Sequence, residues 1–128
     1  MINNSKGLWP DRRLLVIEDE PLNAKYIVNA LEPTGIDIVH ADTGLAALEA
    51  VKQNPHFDAV LLDIRLPDID GFELAKQIKT MNAGIKIIAQ TAYASDQYRE
   101  MCLRAGCDDY LAKPFKVQDL MEVLKKHI

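Results

Sequence analysis

The chain has little cysteine, no basic excess and no apolar run of membrane-spanning length. Its two cysteines, Cys102 and Cys107, lie five positions apart in a segment patterned as a helix and its exit. That spacing matches no zinc pair and offers no obvious disulfide geometry, so both read as buried thiols of a reducing compartment. Fifteen Lys and Arg stand against nineteen Asp and Glu, for a net charge of −4. A protein that grips nucleic acid carries a basic face, and direct nucleic-acid binding is therefore not expected. Neither is membrane insertion, because no segment approaches the length needed to span a bilayer. Residues 1–11 lack the apolar stretch of a secretory leader and read as a polar tail ahead of one domain, 12–128, in the cytoplasm. Asn3-Asn4-Ser5 then matches a glycosylation acceptor only formally. His40, His56 and His127 share no ligand spacing, and Trp9 falls outside the periodic pattern.

What is present is alternation. Apolar runs of strand length occur at Leu14-Leu15-Val16-Ile17, at Ala59-Val60-Leu61-Leu62 and at Ile85 to Ala89, with weaker ones at Ile36 to Val39 and Tyr110 to Ala112. Between them, apolar residues recur at helical spacing: Leu22, Tyr26, Ile27, Ala30 and Leu31; Leu45, Leu48 and Val51; Leu74, Ala75 and Ile78; Tyr98, Met101, Cys102 and Ala105. A last stripe runs through Val117, Leu120, Met121, Leu124 and Ile128. Pro21, Thr43, Asp70 and Ser95 mark helix starts, Asp70 with Glu73 as a capping box, and Gly106 marks an end. Five strand–helix repeats with nearly continuous apolar strands predict an α/β fold, a doubly wound five-stranded parallel sheet covered on both faces. The marginal second strand belongs at an edge, which gives the order 2-1-3-4-5.

In such a sheet ligands bind at the carboxyl ends of the strands, where the strand order reverses. That point lies between the first strand, which ends in Glu18-Asp19 with Glu20 following, and the third, which ends in Asp63, so that three carboxylates should converge. Two like charges about 4 Å apart repel by roughly 4 kcal/mol at an effective dielectric near 20. Carboxylates converging there need a counter-charge, and a hard divalent cation with few protein ligands and several waters points to Mg²⁺. Thr91 and Lys113 follow the fourth and fifth strands and reach the same edge. A hydroxyl and an ammonium facing a carboxylate and a metal form a cage for a tetrahedral anion, with Asp63 as the nucleophile that becomes an aspartyl phosphate.

Glu18-Asp19, Asp63 within Leu-Leu-Asp-Ile-Arg-Leu-Pro-Asp-Ile-Asp-Gly, Thr91-Ala92 and Tyr110-Leu-Ala-Lys113-Pro114 resemble the receiver domain of two-component response regulators over about residues 12–128. The wording Glu-Asp-Glu-Pro-Leu-Asn is also similar to receiver modules of hybrid histidine kinases. The resemblance implies a flavodoxin-like three-layer sandwich that works as a switch in a phosphorelay and is not a turnover enzyme. Asp63 would be the phosphoacceptor, with Asp19 and Asp63 direct metal ligands. Glu18 would act mainly through water, and Arg65 through its backbone carbonyl. Lys113 and Thr91 would contact the phosphoryl oxygens, Tyr110 would be the switch aromatic, and Lys113–Pro114 a cis peptide. The implied partners are a sensor histidine kinase or histidine phosphotransfer protein and a downstream protein or fused domain. Arg65 and Tyr93, each two positions past a site residue, flank the approach of water and are expected to set the lifetime of the phosphoryl group.

Other chemistries fit less well. A phosphatase of the haloacid-dehalogenase type needs a second acid two residues after its nucleophile, where this chain has Arg65. A flavodoxin-like cofactor binder needs a hydroxyl- and glycine-rich loop after the first strand, and Glu18-Asp19-Glu20 would repel its phosphate. A receiver-like module that only docks would have no use for the intact cage.

Overall fold

The central strands form where apolar residues run nearly without a break, because both of their faces are buried. The computed structural model describes residues 6–93 and 95–128, so Asn3-Asn4-Ser5 lies outside the described residues. In chain order the elements are β1 (Arg13–Ile17), α1 (Pro21–Leu31), a single 3-10 turn (Glu32–Thr34), β2 (Asp37–Ala41), α2 (Gly44–Gln53), β3 (Ala59–Asp63), α3 (Gly71–Met81), β4 (Lys86–Thr91), α4 (Asp96–Arg104), β5 (Asp109–Ala112) and α5 (Val117–His127). Every strand pairing is parallel and the order is β2-β1-β3-β4-β5, as expected. β2 is the edge strand with the weakest burial, while β3 is buried along its whole length.

Alternate residues of each strand feed two cores. Leu15, Ile17, Val60, Leu62, Ile87 and Ala89 meet α2, α3 and α4 on one face. Leu14, Val16, Leu61 and Ile88 meet α1 and α5 on the other. Full burial of each such Val, Leu or Ile side chain contributes about 1.5–3 kcal/mol. Trp9 joins the second core, and its backbone N–H donates to Thr34 O at 2.8 Å, so the residues just before β1 pack onto the 3-10 turn.

Helix periodicity overstated the width of several buried stripes. Leu22 and Tyr26 on α1, Leu45 on α2, Met101 on α4 and Val117 on α5 are exposed. The expected Ile27 and Leu31 on α1 and Leu48 and Val51 on α2 are buried, and Ala24 and Ala47 complete the inward faces. On α3 the expected Leu74, Ala75 and Ile78 are buried. Asp70 caps α3 through the Phe72 N–H, but Glu73 is engaged by Gln77 one turn on, so only half of the expected capping box forms. Gly106 leaves α4 at φ +101°, a conformation open to glycine.

Candidate functional site

The end of β1 delivers three acidic residues in a row, and the start of α1 sorts them into different roles. Pro21 opens α1, and Glu20 turns back to cap it by accepting the Leu22 N–H at 3.2 Å. Glu18 continues the ladder, donating its N–H to Ala41 O at 3.0 Å, and is wholly buried, while Asp19 is exposed. β3, paired beside β1, ends on the buried Asp63. One carboxylate oxygen from each of Glu18, Asp19 and Asp63 lies within 4.8 Å of the others. The three acids that the sequence placed at this crevice do converge there.

The loop after β3 is held tightly over the site. Arg65 and Asp70 form an antiparallel bridge across it, and the Gly71 N–H donates to Ile64 O at 3.2 Å. A Cβ on Gly71 would stand 2.5 Å from that carbonyl oxygen, so the close approach requires glycine. Within the loop the Arg65 N–H donates to Asp63 Oδ1 at 3.0 Å. Asp68 is no site acid: it accepts from Gly44 N at 2.8 Å and Leu45 N at 2.9 Å, adding to the cap of α2.

Lys113, just past β5, supplies the counter-charge. Its ammonium donates to Glu18 Oε1 at 3.0 Å and to Asp63 Oδ2 at 3.2 Å, and the Lys113–Pro114 peptide is cis. Burial, reinforced by the neighbouring Glu18, pushes the Asp63 carboxyl up to about 7 against the pull of the Arg65 N–H and Lys113. Burial would raise Glu18 as well, but hydrogen bonds from Asp63, Asn23 and Lys113 outweigh it and hold Glu18 below the usual carboxylate range. Without a cation, Asp63 is therefore the carboxyl of the pair that more readily takes up a proton. Two buried carboxylates and an exposed one, all hard oxygen donors, with Asp19 at the solvent side of the cluster, fit a small divalent cation that keeps several waters.

Thr91 ends β4 one position beyond Gln90, which is the register partner of Asp63. Its hydroxyl is buried and accepts the Tyr93 N–H at 2.9 Å. Tyr110 lies on β5 next to Ala89, half-buried, with the Arg99 guanidinium 5.3 Å from its ring centroid. The side chains of Arg65 and Tyr93 meet above the crevice: Arg65 Nη1 donates to Tyr93 Oη at 2.6 Å. Tyr93 in turn packs on Tyr98, and Tyr98 on Phe72.

Two further residues at the site were given no role from the sequence, although Asn23 closes the Glu-Asp-Glu-Pro-Leu-Asn stretch. Asn23 Nδ2 donates to Glu18 Oε1 and, at 3.2 Å, to Gln90 Oε1. Gln90 is wholly buried. The one signal for it is a glutamine near the end of an otherwise apolar strand, which is an expensive side chain to bury.

A family model described as response regulator receiver domain matches residues 14–125. The polar-differentiation response regulator DivK of Brucella ovis is 31% identical over 119 residues, covering 91% of this chain and 96% of the relative. A probable transcriptional regulatory protein of Picosynechococcus sp. is 38% identical over 116 residues, covering 85% of this chain. The chain spans about half the length of that relative (46%) and a smaller share (13%) of the sensor protein GacS of Pseudomonas syringae. Among solved structures, the receiver domain of a sensor histidine kinase from Pseudomonas aeruginosa PAO1, with magnesium coordinated in its active-site cleft, superposes with a TM-score of 0.82 at 36% identity. The match covers 91% of this chain and 96% of that one.

Proposed function

Since the chain belongs to the response regulator receiver domain family and serves phosphorylation-dependent two-component signalling, we propose that Asp63 is its phosphoacceptor and that the surface around β5 carries the output. The reading rests above all on one contact set: a single ammonium, Lys113 Nζ, within 3.2 Å of both buried carboxylates, Glu18 and Asp63.

In the proposed reaction an Asp63 carboxylate oxygen attacks the phosphorus of a phosphohistidine on a sensor kinase or phosphotransfer protein. A P–O bond forms as the P–N bond breaks, and the histidine nitrogen keeps the electron pair and takes up a proton. Lys113 stays hydrogen-bonded to the site and follows the phosphoryl oxygens as charge builds on them. Mg²⁺, when bound, supplies further neutralisation of that charge. Asp19 and Asp63 would hold it directly, with the Arg65 carbonyl. Glu18 would act through water, a role that suits a carboxylate whose Oε1 already accepts from Asn23 and Lys113 and whose Oε2 accepts from Glu20 N.

Thr91 then leaves the Tyr93 N–H for a phosphoryl oxygen, and Tyr110 moves into the space released. The faces of α4, β5 and α5 are thereby reshaped for a downstream protein or fused domain. The chain modifies itself and no external substrate. Among the described residues no helix is long and apolar enough to cross a membrane, and the proposed placement is cytoplasmic, where a phosphohistidine donor would meet it.

Incubation with a small acyl phosphate and Mg²⁺ tests the reading by intact mass. The expected product carries one phosphoryl group, resists acid, is lost in base, and does not form with Asp63→Asn. Equal phosphorylation of Asp63→Asn, or none of the wild type, would overturn it.

A further inference from the structure

We propose that Asn23 and Gln90 act as a positioning relay for the site, with Gln90 orienting Asn23 and Asn23 orienting Glu18; the proposal rests on the reading of the acidic cluster as a Mg²⁺ site. Glu18 has no contact with solvent and gains its orientation from the groups around it. Its Oε2 accepts from Glu20 N at 3.2 Å, and its Oε1 accepts from Lys113 Nζ and Asn23 Nδ2. An ionised carboxylate only accepts, so the Asn23 atom that faces it must be the amide nitrogen. The second N–H of that nitrogen reaches Gln90 Oε1 at 3.2 Å, which fixes the sense of the Gln90 amide in turn. A defined donor direction thus runs from α1 to the end of β1 on one side and to β4 on the other.

An independent observation sets Gln90 apart from a packing residue. Its side chain is completely buried, and its Nε2 finds no hydrogen-bond partner among the described residues. A side chain kept for stability would not leave an amide donor unpaired in a core, where methionine fills the same space without loss. What Gln90 supplies and methionine cannot is the Oε1 acceptor that holds Asn23. Groups behind a metal-binding carboxylate set its orientation, and their removal typically lowers metal affinity about 10–100-fold. Neither amide is proposed to touch the metal or the phosphoryl group, so both are positioning residues.

The test measures Mg²⁺ affinity by isothermal titration calorimetry and thermal midpoint in EDTA on the full chain, for wild type, Asn23→Leu, Gln90→Met and the double variant. Asn23→Leu should bind Mg²⁺ about 10–100-fold more weakly. Gln90→Met should lose affinity by a smaller factor while its thermal midpoint stays level or rises. The double variant should bind no more weakly than Asn23→Leu, since Gln90 works through Asn23. Unchanged affinity in either single variant overturns the relay. So do losses that multiply in the double variant, or a fall in the Gln90→Met midpoint with affinity intact. Should Asn23→Leu fail to fold, the Gln90→Met pair of readings decides alone. A wild type that binds no Mg²⁺ refutes the metal site itself, which is a different result from failure of the relay.

Discussion

Asp63 is held in an arrangement that favours chemistry over stability. It is buried beside a second buried carboxylate, and one lysine serves both. Neutralising Asp63 removes the repulsion and leaves Lys113 paired with Glu18. Above pH 7, where Asp63 is ionised, Asp63→Asn should therefore stabilise the metal-free protein by roughly 1–2 kcal/mol, below the ~4 kcal/mol of two bare charges about 4 Å apart because Lys113 offsets part of the repulsion. Denaturant unfolding in EDTA measures this, and a destabilised Asp63→Asn would contradict it. Arg65 and Tyr93 make the second residue-scale case. Their hydrogen-bonded side chains join the loops after β3 and β4, and we propose that they restrict the path of water to an aspartyl phosphate. Arg65→Asn combined with Tyr93→Ala should speed loss of the phosphoryl group roughly tenfold, equivalent to about 1.4 kcal/mol. The decay of phosphoprotein after removal of the donor reports the rate, and an unchanged half-life would discard the shield.

Between elements, Lys79 and Asp108 form one of the ion pairs that pin the end of the sheet away from the site. Lys79 on α3 donates to Asp108, just before β5, at 2.8 Å and to Ile85 O at 2.7 Å, while Asp108 also accepts the Ile87 N–H at 2.8 Å. Burial would raise the Asp108 carboxyl, but the Lys79 ammonium and the Ile87 N–H outweigh it and hold it below its ordinary value. A carboxyl lowered on folding stabilises the protein above its unfolded-state pKa, and that contribution disappears as pH falls through the folded-state pKa. The stability gap between wild type and Asp108→Asn should therefore narrow as pH drops below about 4, the ordinary carboxylate value. Urea titrations at stepped pH measure the gap, and one that stayed constant into acid would refute the assignment. α4, by contrast, buries only Cys102 within its span, and its Met101 and Leu103 are exposed. A helix so lightly anchored is suited to being the part of the fold that shifts.

Across the whole molecule, strand identity and order were legible because burial on both faces demands unbroken apolar runs, and Leu14–Ile17 and Ala59–Leu62 have no other use. The convergence of Glu18, Asp19 and Asp63 followed from that order alone. Helix faces were less legible, since Leu22, Leu45 and Met101 are apolar yet exposed: periodicity marks a stripe but not which of its edges meets the sheet. Asn23 and Gln90 were hidden because a polar residue on a helix, or at a strand end, looks the same whether it faces solvent or a buried carboxylate. The proposed switch joins these levels, linking phosphorylation at Asp63 to a surface on the far side of β4. Amide nuclear magnetic resonance of the protein before and after phosphorylation by a small acyl phosphate with Mg²⁺ tests that link most directly. The account predicts shifts at Asp63, Thr91 and Lys113 that extend through Tyr110 into α4 and α5, all lost in Asp63→Asn. Shifts confined to the loops around Asp63, with α4, β5 and α5 unmoved, would contradict it.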